Sequence, residues 1–573
     1  MSLSPTCYVL SIILNRLSGL SCSVYHLRLF NVEVAAYVAA AAILCRTGIE
    51  EQGTNDKIPR GISKYAVMTG FNVALFPVMV FFSGMYYTDV ISTFVVLAAY
   101  LNQLRRLRPG HTESFTESAL MVVLGVLALC MRQTNIFWVV VFMGGIEVVH
   151  CLKSLRPQPV EMPSFSTLTE QIKFYAWRYS LGEIHDPPLN RANPIDLVLC
   201  ILSIAIAVVC SLRTILLRPG GLPHLLVLFI FVGFVAVNGG VVLGDKSNHV
   251  ATLHLAQLLY IWPFFAFFSA PLFTPQALNI ATSAYRTLLT PASSSSPGQT
   301  PERRLHPTNQ QATKQSVALR TANRLGTNTA LQTCIVTAGA LAAAVAIVRF
   351  NTVVHPFTLA DNRHYMFYVF RYSILRATWV RYALALAYVA CGWLCWTALR
   401  GYGRSRQAPS DICQPSGSAV VSSDPSPSAA GKAGKKDTAV PATSRDDAAG
   451  AAAAPPPTST VLILLLATAL SLMTAPLVEP RYFILPWVFW RLHVPAWSSP
   501  PFSVRSGRTS SSFSQSRVPG GSASGVDPRL VLELLWFALI NAGTMYVFLA
   551  RPFYWRAADG TLLDDGRVQR FMW

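Results

Sequence analysis

Long apolar runs separated by short polar connections dominate this chain. They cover residues 8–24, 30–45, 65–85, 90–104, 118–131, 136–151, 195–212, 225–243, 256–273, 331–348, 382–399, 458–476 and 530–549. A helix crossing the hydrocarbon core needs roughly 20 apolar residues, and most runs reach or approach that length. None alternates apolar with polar as a barrel strand does. Because lipid satisfies no open backbone group, helices are the remaining way to span. The pattern predicts an all-α, polytopic membrane protein with roughly 12–14 transmembrane helices. Residues 482–490 are apolar but too short to count as a span.

Three stretches break the pattern. Residues 290–329 are rich in Ser, Pro, Thr and Gln, 401–457 in Ala, Gly, Ser and Pro, and 498–526 in Ser, Arg and Gly. Such compositions bury too little apolar area to offset the entropy of ordering, so disordered insertions are expected there. They divide the chain into membrane segments 1–289, 330–400, 458–497 and 527–573. Within the first, Phe165, Leu168, Ile172, Tyr175 and Tyr179 recur at helical spacing, while Lys173 and Arg178 fall elsewhere on the wheel. That predicts an amphipathic helix, lying on the membrane surface or packed on the bundle.

Composition agrees with the pattern: 52% of the 573 residues are hydrophobic and 13% charged, too little polar surface to cover a soluble globule of this size. The net charge of +19 does not point to nucleic acid. Its basic residues sit in connecting loops, including Arg105, Arg106, Arg108 and the 153–191 and 400–445 segments, as the bias of membrane insertion produces. Most of the eleven cysteines lie inside apolar runs, and no CxxC pair occurs, so disulfides are not the expected framework. There is no Asn-x-Ser/Thr sequence, and no signal peptide is apparent at the start.

Five polar clusters stand at the ends of apolar runs: YYTDV at 86–90, MRQTN at 131–135, GDKSNHVATLHL at 244–255, HPFTLADNRHYMFY at 355–368 and EPRYFILPW at 479–487. Each alone has a plain explanation. Asp89 caps a helix, Arg132 snorkels, Pro480 breaks a helix. Ionisable groups at that depth are costly, however, and five clusters in a chain this poor in charge point to a shared purpose. A metal site fits badly, because His249 and His254 are five apart and no other ligand stands at a suitable spacing. A phosphate site fits better. Lys246, Arg132, Arg363 and Arg481 are cations able to neutralise one, and in a membrane a lipid phosphate is the natural candidate.

These motifs, with the terminal RFMW at 570–573, closely resemble the alpha-1,2-glucosyltransferase family of asparagine-linked glycosylation. The resemblance spans nearly the whole chain outside the three insertions. It implies a polytopic fold of the GT-C glycosyltransferase class in the endoplasmic reticulum membrane. The implied substrates are dolichyl phosphate glucose as donor and a di-glucosylated dolichyl-diphosphate oligosaccharide as acceptor, joined by inverting transfer without metal or cofactor. It also implies a further membrane helix and an acidic, aromatic loop upstream of the equivalent of residues 4–14, carrying the catalytic carboxylate. On that expectation the sequence either begins part-way through a longer protein, the favoured reading, or is a form without its base.

Within the chain, Asp361 and Asp245 are the carboxylates expected to serve as base. Lys246, Arg363, Arg481 and Arg132 are expected on the donor phosphate. His249, His254, Asn248, His355, Asn362, His364, Glu479, Asp89 and Gln133 are expected on sugar or acceptor. Membrane lipid is the surrounding partner. Two other classes compete. A secondary transporter should show paired, broken half-segments, which are not evident. A non-catalytic scaffold leaves the motifs without a purpose.

Overall fold

The computed structural model describes residues 23–53, 61–155, 163–241, 253–289, 329–401, 454–497 and 527–573, apart from isolated positions, with a few residues between. Three calls lie largely or wholly outside the described residues: the 8–24 run and most of the 290–329, 401–457 and 498–526 stretches, and Asp245, Lys246, Asn248 and His249.

The first half of the chain forms α1 (Val24–Gln52), α2 (Lys64–Ala74), α3 (Pro77–Ser83), α4 (Thr88–Arg106) and α5 (Phe115–Met131). A short 3-10 turn (Gln133–Asn135) and a π segment (Phe137–Met143) lead into α6 (Gly144–Leu155). Then come α7 (Leu168–Ser180), α8 (Pro194–Cys210), α9 (Leu212–Leu217) and α10 (Leu222–Asn238). The second half comprises α11 (Gln257–Phe268), α12 (Thr274–Leu289), α13 (Thr329–Phe350), α14 (Pro356–Ala360), α15 (Tyr365–Val369), α16 (Thr378–Arg400), α17 (Thr458–Met473), α18 (Ile484–His493) and α19 (Pro528–Ala550). A two-stranded antiparallel ribbon, β1 (Pro552–Phe553) with β2 (Gln569–Arg570), follows α19.

The protein is an all-α, multi-pass membrane protein. Among the described residues, five helices or helical runs are long and apolar enough to cross a membrane. Two more candidates are bent pairs, α2 with α3 at 56° and α11 with the helix beyond Ala270 at 82°. Four apolar helices are shorter: α5, α8, α10 and α17. The bends have local causes. Pro77 opens α3 directly after Phe76, and Pro271 follows Ser269 at the end of α11, removing backbone donors that a straight helix would need. The outer flank is apolar, with Val198, Ile201, Leu535 and Leu539 exposed, as lipid contact requires.

The core is aromatic. Phe76 stacks on Trp487 at 4.0 Å and Trp138 on Phe489 at 4.9 Å, so the short α18 is the central post. Its ten residues are buried apart from Leu485, although on length the 482–490 run does not qualify as a span. Close packing of α1 and α2 depends on Gly70. A Cβ there would come within 2.8 Å of the Ala39 carbonyl, the small-residue approach typical of membrane helices.

Two boundaries differ from the compositional reading. Pro456 and Pro457 are part of the fold: Leu189 N donates to Pro456 O at 3.0 Å and Pro188 pairs with Pro457. The 165–179 helix forms, but Arg178 is buried, donating to Glu183 and to the Gln158 carbonyl, while Ile172 is exposed. The ion pair and the carbonyl draw Arg178 inward, which helical periodicity does not register.

Candidate active site

Helix direction decides which polar clusters meet. Asn31 near the start of α1 donates to the carbonyls of Met85 (2.6 Å) and Tyr87 (3.0 Å), fixing the turn before α4. Asp89 then sits in the first turn of α4, where the helix dipole favours a carboxylate. It is buried and meets Arg132 Nη2 at 2.5 Å. Arg132 ends α5, and Asn135 behind it donates to Ser92 Oγ and to the Ala128 carbonyl, each at 2.8 Å. The QTN turn and the π segment that follows depart from α geometry where the site needs it.

The third contributor is EPRYF. Glu479 and Arg481 pair with each other, and the Arg481 guanidinium lies 5.8 Å from the Tyr87 ring and 5.4 Å from the Tyr482 ring. Arg132 shares the Tyr482 ring, lying 5.5 Å from its centre. YYTDV, MRQTN and EPRYF, from three distant parts of the chain, thus form one cluster of two arginines, two carboxylates and two tyrosines. Among the described residues, Arg132 Nε and Nη1 have no hydrogen-bond partner, leaving two donors available. Gln133 lies half-buried beside it.

His254 is fully buried. Its N–H donates to Met473 O at 2.9 Å, and Gln257 donates to Ala475 O at 2.6 Å, which ties the end of the GDKSNHVATLHL motif to the segment leading into Glu479. Asn351, at the end of α13, braces the same motif by accepting from Leu255 N at 2.6 Å and donating to Leu253 O at 2.9 Å.

HPFTLADNRHY forms a separate unit with RFMW. His355 caps α14, accepting from Phe357 N at 3.2 Å. Asp361 takes a two-pronged contact from Arg363 at 2.9 and 2.6 Å, and His364 Nε2 approaches it at 3.5 Å. His364 Nδ1 lies 3.1 Å from Trp573 O. Asn362 is half-buried in the same loop. Burial raises the Asp361 pKa, but the Arg363 hydrogen bonds and charge outweigh it and hold the carboxyl below its ordinary value, which makes it a weaker base.

Sequence reading named Asp89, Arg132, Gln133, Glu479 and Arg481 but missed Tyr87, Asn31, Asn135, Tyr482 and Gln257. Three of these lie inside the flagged motifs; Gln257 stands two residues past the GDKSNHVATLHL motif, and Asn31 carries no local signal. Among the described residues no group of three or more His, Cys, Asp or Glu is arranged to hold a metal ion.

Residues 3–492 match the DIE2/ALG10 family. A relative from Gibberella zeae, named Dol-P-Glc:Glc(2)Man(9)GlcNAc(2)-PP-Dol alpha-1,2-glucosyltransferase, is 43% identical over 596 residues, covering 96% of this chain and 82% of the relative. One of the same name from Pyricularia oryzae is 45% identical over 96% of this chain and 79% of its own length. The relative from Homo sapiens, again of that name, is 26% identical over 88% of this chain and 72% of its own. No solved structure matches the chain.

Proposed function

Because the chain belongs to the DIE2/ALG10 family, we propose that it transfers glucose from dolichyl phosphate glucose to a di-glucosylated dolichyl-diphosphate oligosaccharide, forming an alpha-1,2 bond in the endoplasmic reticulum membrane. Its relatives' names supply the substrates. The observation that supports a location for the chemistry is the junction of YYTDV, MRQTN and EPRYF around Arg132 and Arg481.

In this reading the acceptor hydroxyl attacks the anomeric carbon, that carbon's bond to the phosphate oxygen breaks with inversion, and dolichyl phosphate departs. Arg132 and Arg481 face the departing phosphate, whose charge rises as the bond opens, and stabilise the transition state more than the ground state. Asp89 and Glu479 hold the two guanidinium groups in place, and Tyr87 and Tyr482 form walls that keep the charges in a poorly solvated space. Since the leaving group is a phosphate, guanidinium groups suffice to stabilise it. Gln133 and His254 border the sugar. Lys246, Asn248 and His249 are further donor contacts by their place in the His254 motif. His355, Asn362 and His364 border the acceptor. The base is assigned to neither Asp361, which Arg363 engages, nor Asp245, which lies outside the described residues.

The test is transfer of glucose from dolichyl phosphate glucose to the di-glucosylated acceptor by membranes carrying this chain. Arg132→Ala and Arg481→Ala should each lower turnover by about 10²–10³ while the protein stays folded, the range seen when one preorganised transition-state donor is removed. Unchanged turnover in both variants would refute the site.

A further inference from the structure

We propose that Arg363 is a positioning residue, not a phosphate ligand: it pins the C-terminal ribbon, residues 552–573, onto the 355–365 loop and makes the two a single unit that holds His364 in place. The kinetic part of this proposal rests on the transfer reaction proposed above; the structural part does not.

The loop has little to hold it by itself. Its one helical element, α14, is five residues long, too short to persist without tertiary contacts. The ribbon is equally slight, two residues per strand. Each is therefore ordered by the other. Main-chain hydrogen bonds run both ways, from Tyr365 N to Met572 O at 3.1 Å and from Met572 N to Arg363 O at 3.0 Å, with His364 and Met572 paired in parallel register.

The Arg363 side chain spans the same seam. Nε and Nη2 donate to Asp361 in its own loop, Nη1 donates to Gln569 on β2, and the guanidinium lies 4.5 Å from the Trp555 ring. Each of the three nitrogens thus has a protein partner, and the stacked face completes the contact. A phosphate would have to compete with Asp361, which already holds Nε and Nη2, for this guanidinium. The planar fork and stacking surface are specific to arginine, since a lysine ammonium offers neither. Trp573 carries the seam into the bundle, with its ring 4.9 Å from Tyr365 and 5.6 Å from Phe268. Movement of the ribbon would therefore move His364, which faces Trp573 O.

The experiment uses the full chain in native membranes. His364→Cys with Met572→Cys places thiols across a directly paired position, a spacing a disulfide accepts, and the rate of oxidative crosslinking reads ribbon docking. Arg363→Ala and Arg363→Lys should slow crosslinking by roughly 10-fold or more, the range of coupled contacts. Gln569→Leu should slow it less, and Gln569→Glu, which gives Arg363 a second carboxylate, should restore or exceed the parent rate. This milder pair keeps the test decisive if Arg363 variants misfold. In the transfer assay, with residues 364 and 572 native, Arg363→Ala should lower kcat while the donor KM changes little. Crosslinking indifferent to both residues would overturn the proposal, as would a raised donor KM with docking intact. Absence of transfer by the parent chain would count against the proposed reaction and leave the crosslinking result to decide the clamp.

Discussion

Arg481 and Arg491 stand ten residues apart on one helical run, about 15 Å along its axis, and they sit in opposite kinds of cluster. At the Arg491 end all three side-chain nitrogens of Arg491 and of Arg46 have protein partners. Arg491 donates to Glu533 at 2.8 and 2.7 Å and to Tyr65 Oη at 3.4 Å, and neither partner of the ion pair is exposed. Arg46 donates to Glu50, Leu492 O and Ala452 O, and Arg529 to Asp527 and Pro495 O. These pairs join α1, α2, α18 and α19 and leave no unengaged nitrogen on Arg491 or Arg46 for a ligand. At the other end, the Arg132 side chain is 19% exposed, lies against tyrosine and retains two donors. The same residue types make a lock in one place and a site in the other. The difference lies in how many donors the protein itself occupies.

The largest expected effect breaks the lock. Arg491→Ala or Glu533→Ala strands a buried charge and should cost about 3–5 kcal/mol, read as a fall in thermal unfolding temperature of the purified protein. The double replacement Arg491→Met with Glu533→Leu should recover most of that loss, because a packed apolar pair replaces an ion pair at little net cost. A double variant as unstable as the singles would mean that the lock depends on its charges. Arg132→Ala also leaves the buried Asp89 without its partner, but the Arg132 side of that pair is 19% exposed, so the unfolding temperature should fall less than in the lock variants while turnover falls as given above. If instead it unfolds the protein, the contrast between the two ends fails.

A smaller effect sharpens the boundary of the site. Asn31→Ala frees the carbonyls of Met85 and Tyr87, which is expected to cost about 1–3 kcal/mol. Because those carbonyls position Asp89 and hence Arg132, turnover should fall more than the unfolding temperature suggests. Equal falls would assign Asn31 to packing alone.

Much of this was legible before any coordinates. The apolar runs set the helices, and polar residues at run ends marked the site, because charge inside a bilayer is retained only where something holds it. What the runs do not encode is pairing. Arg46 meets a carbonyl 446 residues away and Arg491 a carboxylate 42 away, so nothing local separates these locking arginines from Arg132. Arg363 illustrates the same limit. Beside Asp361 and His364 it reads as a free cation in a site loop, and only Gln569 and Trp555, some two hundred residues on, reveal how it is occupied. Arg178 was assigned to the polar face of its helix for the same reason: periodicity describes one helix and is silent about the carbonyl waiting beside it.

The least of the expected effects concerns pH and tests whether the clamp belongs with the lock or with the site. The Asp361 carboxyl is held below its ordinary value in the folded protein, with the Arg363 contacts outweighing burial. A group with a depressed folded pKa contributes stability that is complete above its unfolded value, about 3.9 for an aspartate, and is lost as pH falls through the folded value. The contribution of Asp361 to ribbon docking should therefore be constant from neutral pH down to the ordinary carboxylate range and weaken only below it. Amide exchange at Tyr365 and Met572, whose N–H groups cross the seam, reports this after correction for the intrinsic rate. Asp361→Asn should exchange faster at neutral pH and show no acid step of its own. The lock carries no such dependence at that position, so an acid step confined to these two amides would make the clamp a separately ordered unit. Loss of protection throughout the bundle at the same pH would instead show that ribbon and core unfold together.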